Sequence, residues 1–200
     1  MPVLGITGGI ATGKSTFTRQ LLNWLPAACF DADSVARELL DGDPEVRESV
    51  RDAFGANVIG PGGIADRAAL REIVFGDAGK RQILEEILHP PIRARWAALA
   101  KLARETGAWL LVDIPLLFET GVESEFDTVV VVACREATQR ARIVSERRLS
   151  SEIAVRIIDS QQSLKSKIAR AGHVVWSDCP MARMENQAQI FAGYLEKRYG

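Results

Sequence analysis

Eight consecutive residues, Gly8-Gly9-Ile10-Ala11-Thr12-Gly13-Lys14-Ser15, follow the spacing glycine, four residues, glycine, lysine, then serine or threonine. Gly8, Gly9 and Gly13 let the backbone turn sharply and approach a ligand, so that successive amides point into one concavity suited to a phosphate. A helix opening at Lys14 adds the partial positive charge of its N-terminus. Lys14 brings a full charge to the β- and γ-phosphates, and the Ser15 hydroxyl is placed to ligate Mg²⁺. The motif therefore implies binding of a nucleoside triphosphate. Carboxylates recur at two further points, Asp31 with Asp33 and Asp113, and arginines cluster at Arg140, Arg142, Arg147 and Arg148.

These groups need elements to hold them. Val3-Leu4-Gly5-Ile6-Thr7 before the loop reads as a strand, and residues 15–25 read as a helix stopped by Pro26. A short apolar run over 27–30 ends in Asp31-Ala32-Asp33, which sets carboxylates at the carboxyl end of a second strand, where open α/β sheets bind ligands. Asp is also a favoured helix N-cap, and a helix is expected over 34–40, so capping and chemistry both stay open for this pair. Trp109-Leu110-Leu111-Val112 is a strand buried on both faces, and Asp113 at its end is in the position of a second Mg²⁺ ligand. The apolar cluster that follows, Ile114 to Phe118, is either core cover or the wall of an acceptor pocket. Further strands are expected over 128–133 and 174–176, and a closing helix over 181–199 with Met184, Ile190, Phe191, Tyr194 and Leu195 inward.

Between residues 41 and 106 the pattern is helical, punctuated by Gly and Pro, with helices expected at 45–54, 67–75, 78–88 and 91–106 and a break at His89-Pro90-Pro91. Such an insertion is well placed to hold a phosphate acceptor. Residues 135–170 are helical and basic, nine Arg or Lys against four Asp or Glu, whereas the first 134 residues carry a net −6. That polarity fits a lid over a triphosphate.

Composition excludes several classes. The chain has 47% hydrophobic and 26% charged residues and a net charge of −1, which shows no polybasic footprint for nucleic acid. No apolar run approaches the ~20 residues needed to span a bilayer. A strand begins by residue 3, so a cytoplasmic location is the expectation. Cys29, Cys134 and Cys179 are dispersed and odd in number, as expected of reduced thiols, with Cys29 and Cys134 packing as small hydrophobes.

Assembled, the chain resembles the dephospho-coenzyme A kinases almost end to end. The likeness is carried by Gly5-Ile6-Thr7-Gly8-Gly9-Ile10, by Asp31-Ala32-Asp33 with Arg37, and by Leu84-Glu85 followed by Leu88-His89-Pro90. It continues at Asp113-Ile114-Pro115-Leu116-Leu117-Phe118-Glu119 and from Arg142 through Arg156-Ile157 to Gln161. The chain departs at Ala171-Gly172 and Trp176-Ser177, where the family usually reads Ala-Asp and then Asn.

The resemblance implies an α/β fold: a P-loop NTPase three-layer core with a five-stranded parallel sheet, a helical substrate-binding insertion and a helical lid. As one kinase domain over 1–200, it would comprise a core (about 1–40, 107–134 and 171–200), the insertion (about 41–106) and the lid (about 135–170). The implied reaction is transfer of the ATP γ-phosphoryl group to the ribose 3′-hydroxyl of dephospho-coenzyme A.

For that reaction catalysis is expected to fall to Asp33 as general base, with Lys14 and Arg142 on the developing charge. ATP is expected to be held by Gly8, Gly9, Ile10, Ala11, Thr12, Gly13, Lys14, Ser15, Thr16, Arg142 and Arg147, the last hard to separate from Arg148. The acceptor side comprises Asp33, Arg37, His89, Arg93, Leu116, Leu117 and Glu119, and Mg²⁺ takes Ser15 and Asp113. The expected partners are ATP and dephospho-coenzyme A, without nucleic acid or membrane, in a monomer or small homo-oligomer. Two rivals share parts of this machinery: a kinase for another small acceptor such as a nucleoside monophosphate, and a binding module without turnover. A GTPase switch is disfavoured because no Asn-Lys-x-Asp sequence occurs.

Overall fold

Alternation along the first strand decides what covers each face of the sheet. A computed structural model describes residues 2–147 and 149–200, the side chains of Phe75 and Arg147 excepted. Strands β1 (Val3–Gly8), β2 (Ala27–Asp31), β3 (Trp109–Asp113), β4 (Thr128–Ala133) and β5 (His173–Trp176) form one parallel sheet in the order β2-β3-β1-β4-β5. Leu4 and Ile6 of β1 join Leu111, Val130, Val132 and Val175 in one apolar cluster. Helix α1 (Lys14–Leu22) adds Phe17 and Leu21 to it.

The odd residues of β1 face the other way. There a Cβ on Gly5 would fall 2.7 Å from Leu117 Cδ1 and 3.0 Å from Phe126, so glycine is what lets the 114–126 segment lie on the strand. Register sets Ile6 beside Asp113 and Gly8 beside Val132. After β1 the chain runs to one side of the sheet, and after β3 it crosses to the other. The topological switch therefore falls at the carboxyl ends of the central strands, where such sheets bind ligands.

The chain divides into two units, Met1–Phe30 with Ala100–Gly200, and Asp31–Leu99. The second begins with α2 (Ala32–Gly42), capped by Asp31, and α3 (Pro44–Phe54), capped by Asp43 and opened by a proline. Helix α4 (Arg67–Phe75), capped by Asp66, follows. The expected break at His89-Pro90-Pro91 does not occur: α5 runs Ala78–Thr106 with both prolines inside it. Each proline forfeits one backbone bond. Leu88, Ile92, Trp96, Ala100 and Ala103, all 9% exposed or less, keep one buried stripe in phase across the prolines, and packing prevails over propensity.

In the first unit the basic segment folds as α6 (Glu136–Arg147), α7 (Ser151–Asp159) and α8 (Leu164–Arg170). The closing helix α9 (Met181–Tyr199) buries Met184, Ala188, Phe191, Ala192 and Leu195. Ile190 and Tyr194, expected inward, are 68% and 40% exposed, because small alanines at 188 and 192 hold the helix close and take those places. Cys134 is buried as expected, but Cys29 is exposed, since β2 is an edge strand that buries only Phe30 fully.

Candidate active site

The five residues between β1 and α1 form a loop whose outer side is bonded throughout. Gly8 has no room for a side chain: a Cβ would sit 2.4 Å from Val132 O and 2.7 Å from Thr12 Oγ1. Gly13 has φ +85°, and Ala11, a non-glycine, also has a positive φ, 56°, a conformation that costs an L-residue about 1 kcal/mol. The Thr12 hydroxyl donates to Gly9 O at 2.9 Å. Gln139 Nε2 donates to Ile10 O at 2.7 Å, and Gln161 Oε1 accepts from Ile10 N at 2.9 Å. Arg142 Nη1 donates to Ala11 O at 3.1 Å and to Ser177 Oγ at 3.2 Å, while Nη2 donates to Ser177 O at 3.1 Å. The Ser177 hydroxyl in turn donates to Thr12 O. With these carbonyls engaged from behind, the first amides of α1 present the unpaired donors of a helix N-terminus to an anion.

Lys14 and Asp113 meet directly. The ammonium pairs with Asp113 Oδ1, with the two side chains 14% and 7% exposed, and Ser15 beside it is exposed. Asp113 is where it is because β3 pairs with β1 up to Ile6, and Ile114 N then donates to Ile6 O at 3.0 Å.

The following segment is fixed from two sides. Pro115 O accepts from Thr7 Oγ1 and from Lys167 Nζ, each at 3.1 Å. Glu119 Oε1 lies 2.8 Å from Lys167 Nζ and accepts from Gln162 N at 3.0 Å. Leu117 is 0% exposed, so its expected place in an acceptor wall is corrected: it is core, packed over Gly5. Leu116 is half-buried.

In the second unit, Asp31 is the helix cap, accepting from Ser34 N at 3.0 Å, and Asp33 lies exposed in the first turn of α2. Arg37 is exposed one turn further on; His89 and Arg93 share a face of α5 at four-residue spacing. Arg148 and the side chain of Arg147 lie outside the described residues. Among the described residues no group of three or more His, Cys, Asp or Glu is arranged for a metal, and no helix is long and apolar enough to cross a membrane.

Four supporting residues were not foreseen: Gln139, Lys167, Ser177 and Asp178. Gln139 had a signal in its i,i+3 spacing from Arg142 on one helix. Asp178 Oδ2 accepts from Arg135 N at 2.6 Å and Arg135 Nε at 3.2 Å, which secures the start of α6. Burial pushes the Asp178 carboxyl up, but hydrogen bonds from Thr138 and Arg135 and the Arg135 charge outweigh it and hold the group below its ordinary value. Burial pushes the Cys134 thiol up despite the nearby Arg142 charge, which leaves it unreactive.

A glycine-bounded loop between strand and helix, a lysine and serine at the helix start and an aspartate ending the adjacent strand define a P-loop NTPase. Comparison with known proteins narrows the class. The family model for dephospho-CoA kinase matches residues 2–182. The chain is 41% identical over 177 residues to a dephospho-CoA kinase of Symbiobacterium thermophilum, covering 88% of this chain and 73% of that one. It is 42% identical over 177 residues to one of Anaeromyxobacter dehalogenans, covering 88% and 83%. A solved dephospho-CoA kinase from Campylobacter jejuni superposes with a TM-score of 0.73 at 27% identity, covering 98% of this chain and 97% of that one. The chain belongs to the dephospho-CoA kinase family and is a kinase.

Proposed function

We propose that the protein transfers the γ-phosphoryl group of ATP to the ribose 3′-hydroxyl of dephospho-coenzyme A, the final step of coenzyme A synthesis. The observation that carries this is the Lys14–Asp113 pair beside an exposed Ser15 at the switch point of the sheet, in a chain matched to this family over residues 2–182.

Phosphoryl transfer through a loose transition state needs alignment and charge stabilisation more than covalent help. The backbone of Gly8, Gly9, Ile10, Ala11, Thr12 and Gly13 wraps the triphosphate, and the amides of Lys14, Ser15 and Thr16 close on it. Lys14 exchanges Asp113 for the β- and γ-phosphates. Arg142, already bonded to the loop, adds its charge as the γ-phosphoryl group transfers, with Arg147 as a further ATP contact. Asp33, an exposed carboxylate without a capping role, takes the proton of the acceptor hydroxyl. Arg37, His89, Arg93, Leu116 and Glu119 form the acceptor side, residues 41–106, most of which fall in the Asp31–Leu99 unit, form the acceptor-binding insertion, and residues 135–170 act as the lid.

The Ser15 hydroxyl and Asp113 carboxylate suit Mg²⁺, a hard cation that takes one or two protein oxygens and fills its octahedron with phosphate oxygens and water. Bound with ATP, Mg²⁺ supplies neutralisation of the phosphate charge. The proposal extends to a cytoplasmic enzyme, monomeric or a small homo-oligomer, with neither nucleic acid nor membrane as partner.

An ATP/Mg²⁺ assay against dephospho-coenzyme A, adenosine monophosphate, cytidine monophosphate and no acceptor tests the reading. Turnover with dephospho-coenzyme A far above the others is expected. Equal turnover of a monophosphate would overturn it.

A further inference from the structure

Lysine is almost never fully buried unless paired, and Lys167 in α8 is 0% exposed. Its ammonium lies 2.8 Å from Glu119 Oε1 and donates to Pro115 O at 3.1 Å. Glu119 Oε1 also accepts from Gln162 N at 3.0 Å, and Pro115 O also accepts from Thr7 Oγ1 at 3.1 Å. One residue before Gln162, Gln161 Oε1 accepts from Ile10 N at 2.9 Å. The bonds join into one connected path, from the phosphate loop through the turn between α7 and α8 to the 115–119 segment, and back to the end of β1. Asp113 opens that segment, two residues before Pro115.

Stability does not account for an ionic pair here, because well-packed apolar residues of similar volume are often as stable or more so. What apolar groups lack is direction. An ammonium with three donors fixes both the Pro115 carbonyl and the Glu119 carboxylate, and through them the course of the chain leaving Asp113. We propose that Lys167, with Glu119, is a positioning residue that locks the 113–119 segment to the phosphate loop and so aims the Asp113 carboxylate at the metal of the nucleotide. This rests on the assignment of Asp113 to that metal. Outer-shell partners of a metal ligand typically account for about 10- to 100-fold in metal affinity.

Lys167→Met alone leaves the Glu119 carboxylate, 21% exposed, without its counter-charge, so the informative protein is Lys167→Met/Glu119→Gln, in which no charge is left unpaired. Mn²⁺ affinity in the presence of ADP, read by electron paramagnetic resonance, needs no turnover. The double variant is expected to melt within a few degrees of the parent and to bind Mn²⁺ about tenfold more weakly. Glu119→Gln alone keeps the lysine's oxygen acceptors but removes its counter-charge, so it should melt lower and shift Mn²⁺ affinity in the same direction by less. Asp113→Asn serves as the reference and should weaken Mn²⁺ at least as much as the double variant. Parental Mn²⁺ affinity in both Glu119→Gln and the double variant, beside a loss in Asp113→Asn, overturns the positioning role while the metal assignment stands. Parental affinity in all three overturns the assignment and the proposal with it. A raised KM for dephospho-coenzyme A with intact Mn²⁺ affinity leaves Glu119 an acceptor-side residue alone and overturns the proposal too.

Discussion

Two aspartates two residues apart separate stability from chemistry. Asp31 Oδ1 accepts from Ser34 N at 3.0 Å and caps α2, whereas Asp33 stands exposed in the first turn. Asp31→Ala removes the cap, which costs about 1 kcal/mol. For a domain of this length that lowers the melting temperature by about 2–4 °C. Turnover should stay within a few-fold of the parent. Asp33→Asn keeps size and polarity and loses only the interaction of one exposed charge with the helix N-terminus, about 0.3–1 kcal/mol. The same substitution removes the proposed base, which typically contributes about 10²- to 10⁴-fold, or roughly 3–5.5 kcal/mol of barrier. Thermal melts, kcat and ATP dissociation constants for both variants give the comparison. Expected are a melting shift without a kcat loss for Asp31→Ala, and a kcat loss with ATP affinity retained for Asp33→Asn. A near-parental kcat for Asp33→Asn refutes the assignment of the base, and loss of ATP binding moves Asp33 to the nucleotide side.

Gly8→Ala would bring a methyl to 2.4 Å from Val132 O, a backbone atom that cannot swing aside, so a loss of about 1–3 kcal/mol in urea titration and weakened ATP binding are expected. Arg142→Lys keeps the charge but not the fork that reaches Ala11 O and both Ser177 acceptors; it should lower kcat and weaken ATP binding together, measured by steady-state kinetics and calorimetry. Asp178 has a folded pKa below its ordinary value, so its stabilisation is complete above that value and disappears as pH falls through the folded one. The stability gap between the parent and Asp178→Asn, from urea midpoints, should hold steady from about pH 7 to 5 and close below about pH 4. ATP-analogue binding should raise hydrogen-exchange protection in α7 more than in α8, because Lys167 already anchors α8 to the core.

What the sequence discloses about this protein follows the range of the forces involved. The phosphate loop and the ends of β1 and β3 are local matters, governed by residue type within a few positions, and they are legible; the cap at Asp31 was one of two readings that only the structure separates. The prolines at 90 and 91 mislead because the evidence against a break, a buried stripe from Leu88 to Ala103, lies in packing that propensity does not register. Ile190 and Tyr194 mislead because hydrophobicity alone cannot say that alanines at 188 and 192 occupy the closest contact. The departures at Gly172 and Ser177 gain meaning only in three dimensions. A Cβ at 172 would fall 2.4 Å from Thr128 Oγ1, and the Ser177 hydroxyl is tied to the phosphate loop. Lys167 was hidden among basic neighbours: nothing in one sequence marks which lysine of a charged helix turns inward.

The Lys14–Asp113 pair also bears on which ligands the site admits. Each charge neutralises the other, so the resting site is already balanced. A nucleotide arriving without metal would draw the lysine away and leave a carboxylate, 7% exposed, facing a triphosphate of the same sign. A metal arriving alone would claim the carboxylate and abandon the ammonium. Only the two together replace both halves of the pair, so each should raise the other's affinity by the same factor, as thermodynamic linkage requires. Admission would then be an exchange of partners, with metal and nucleotide expected to enter the site together.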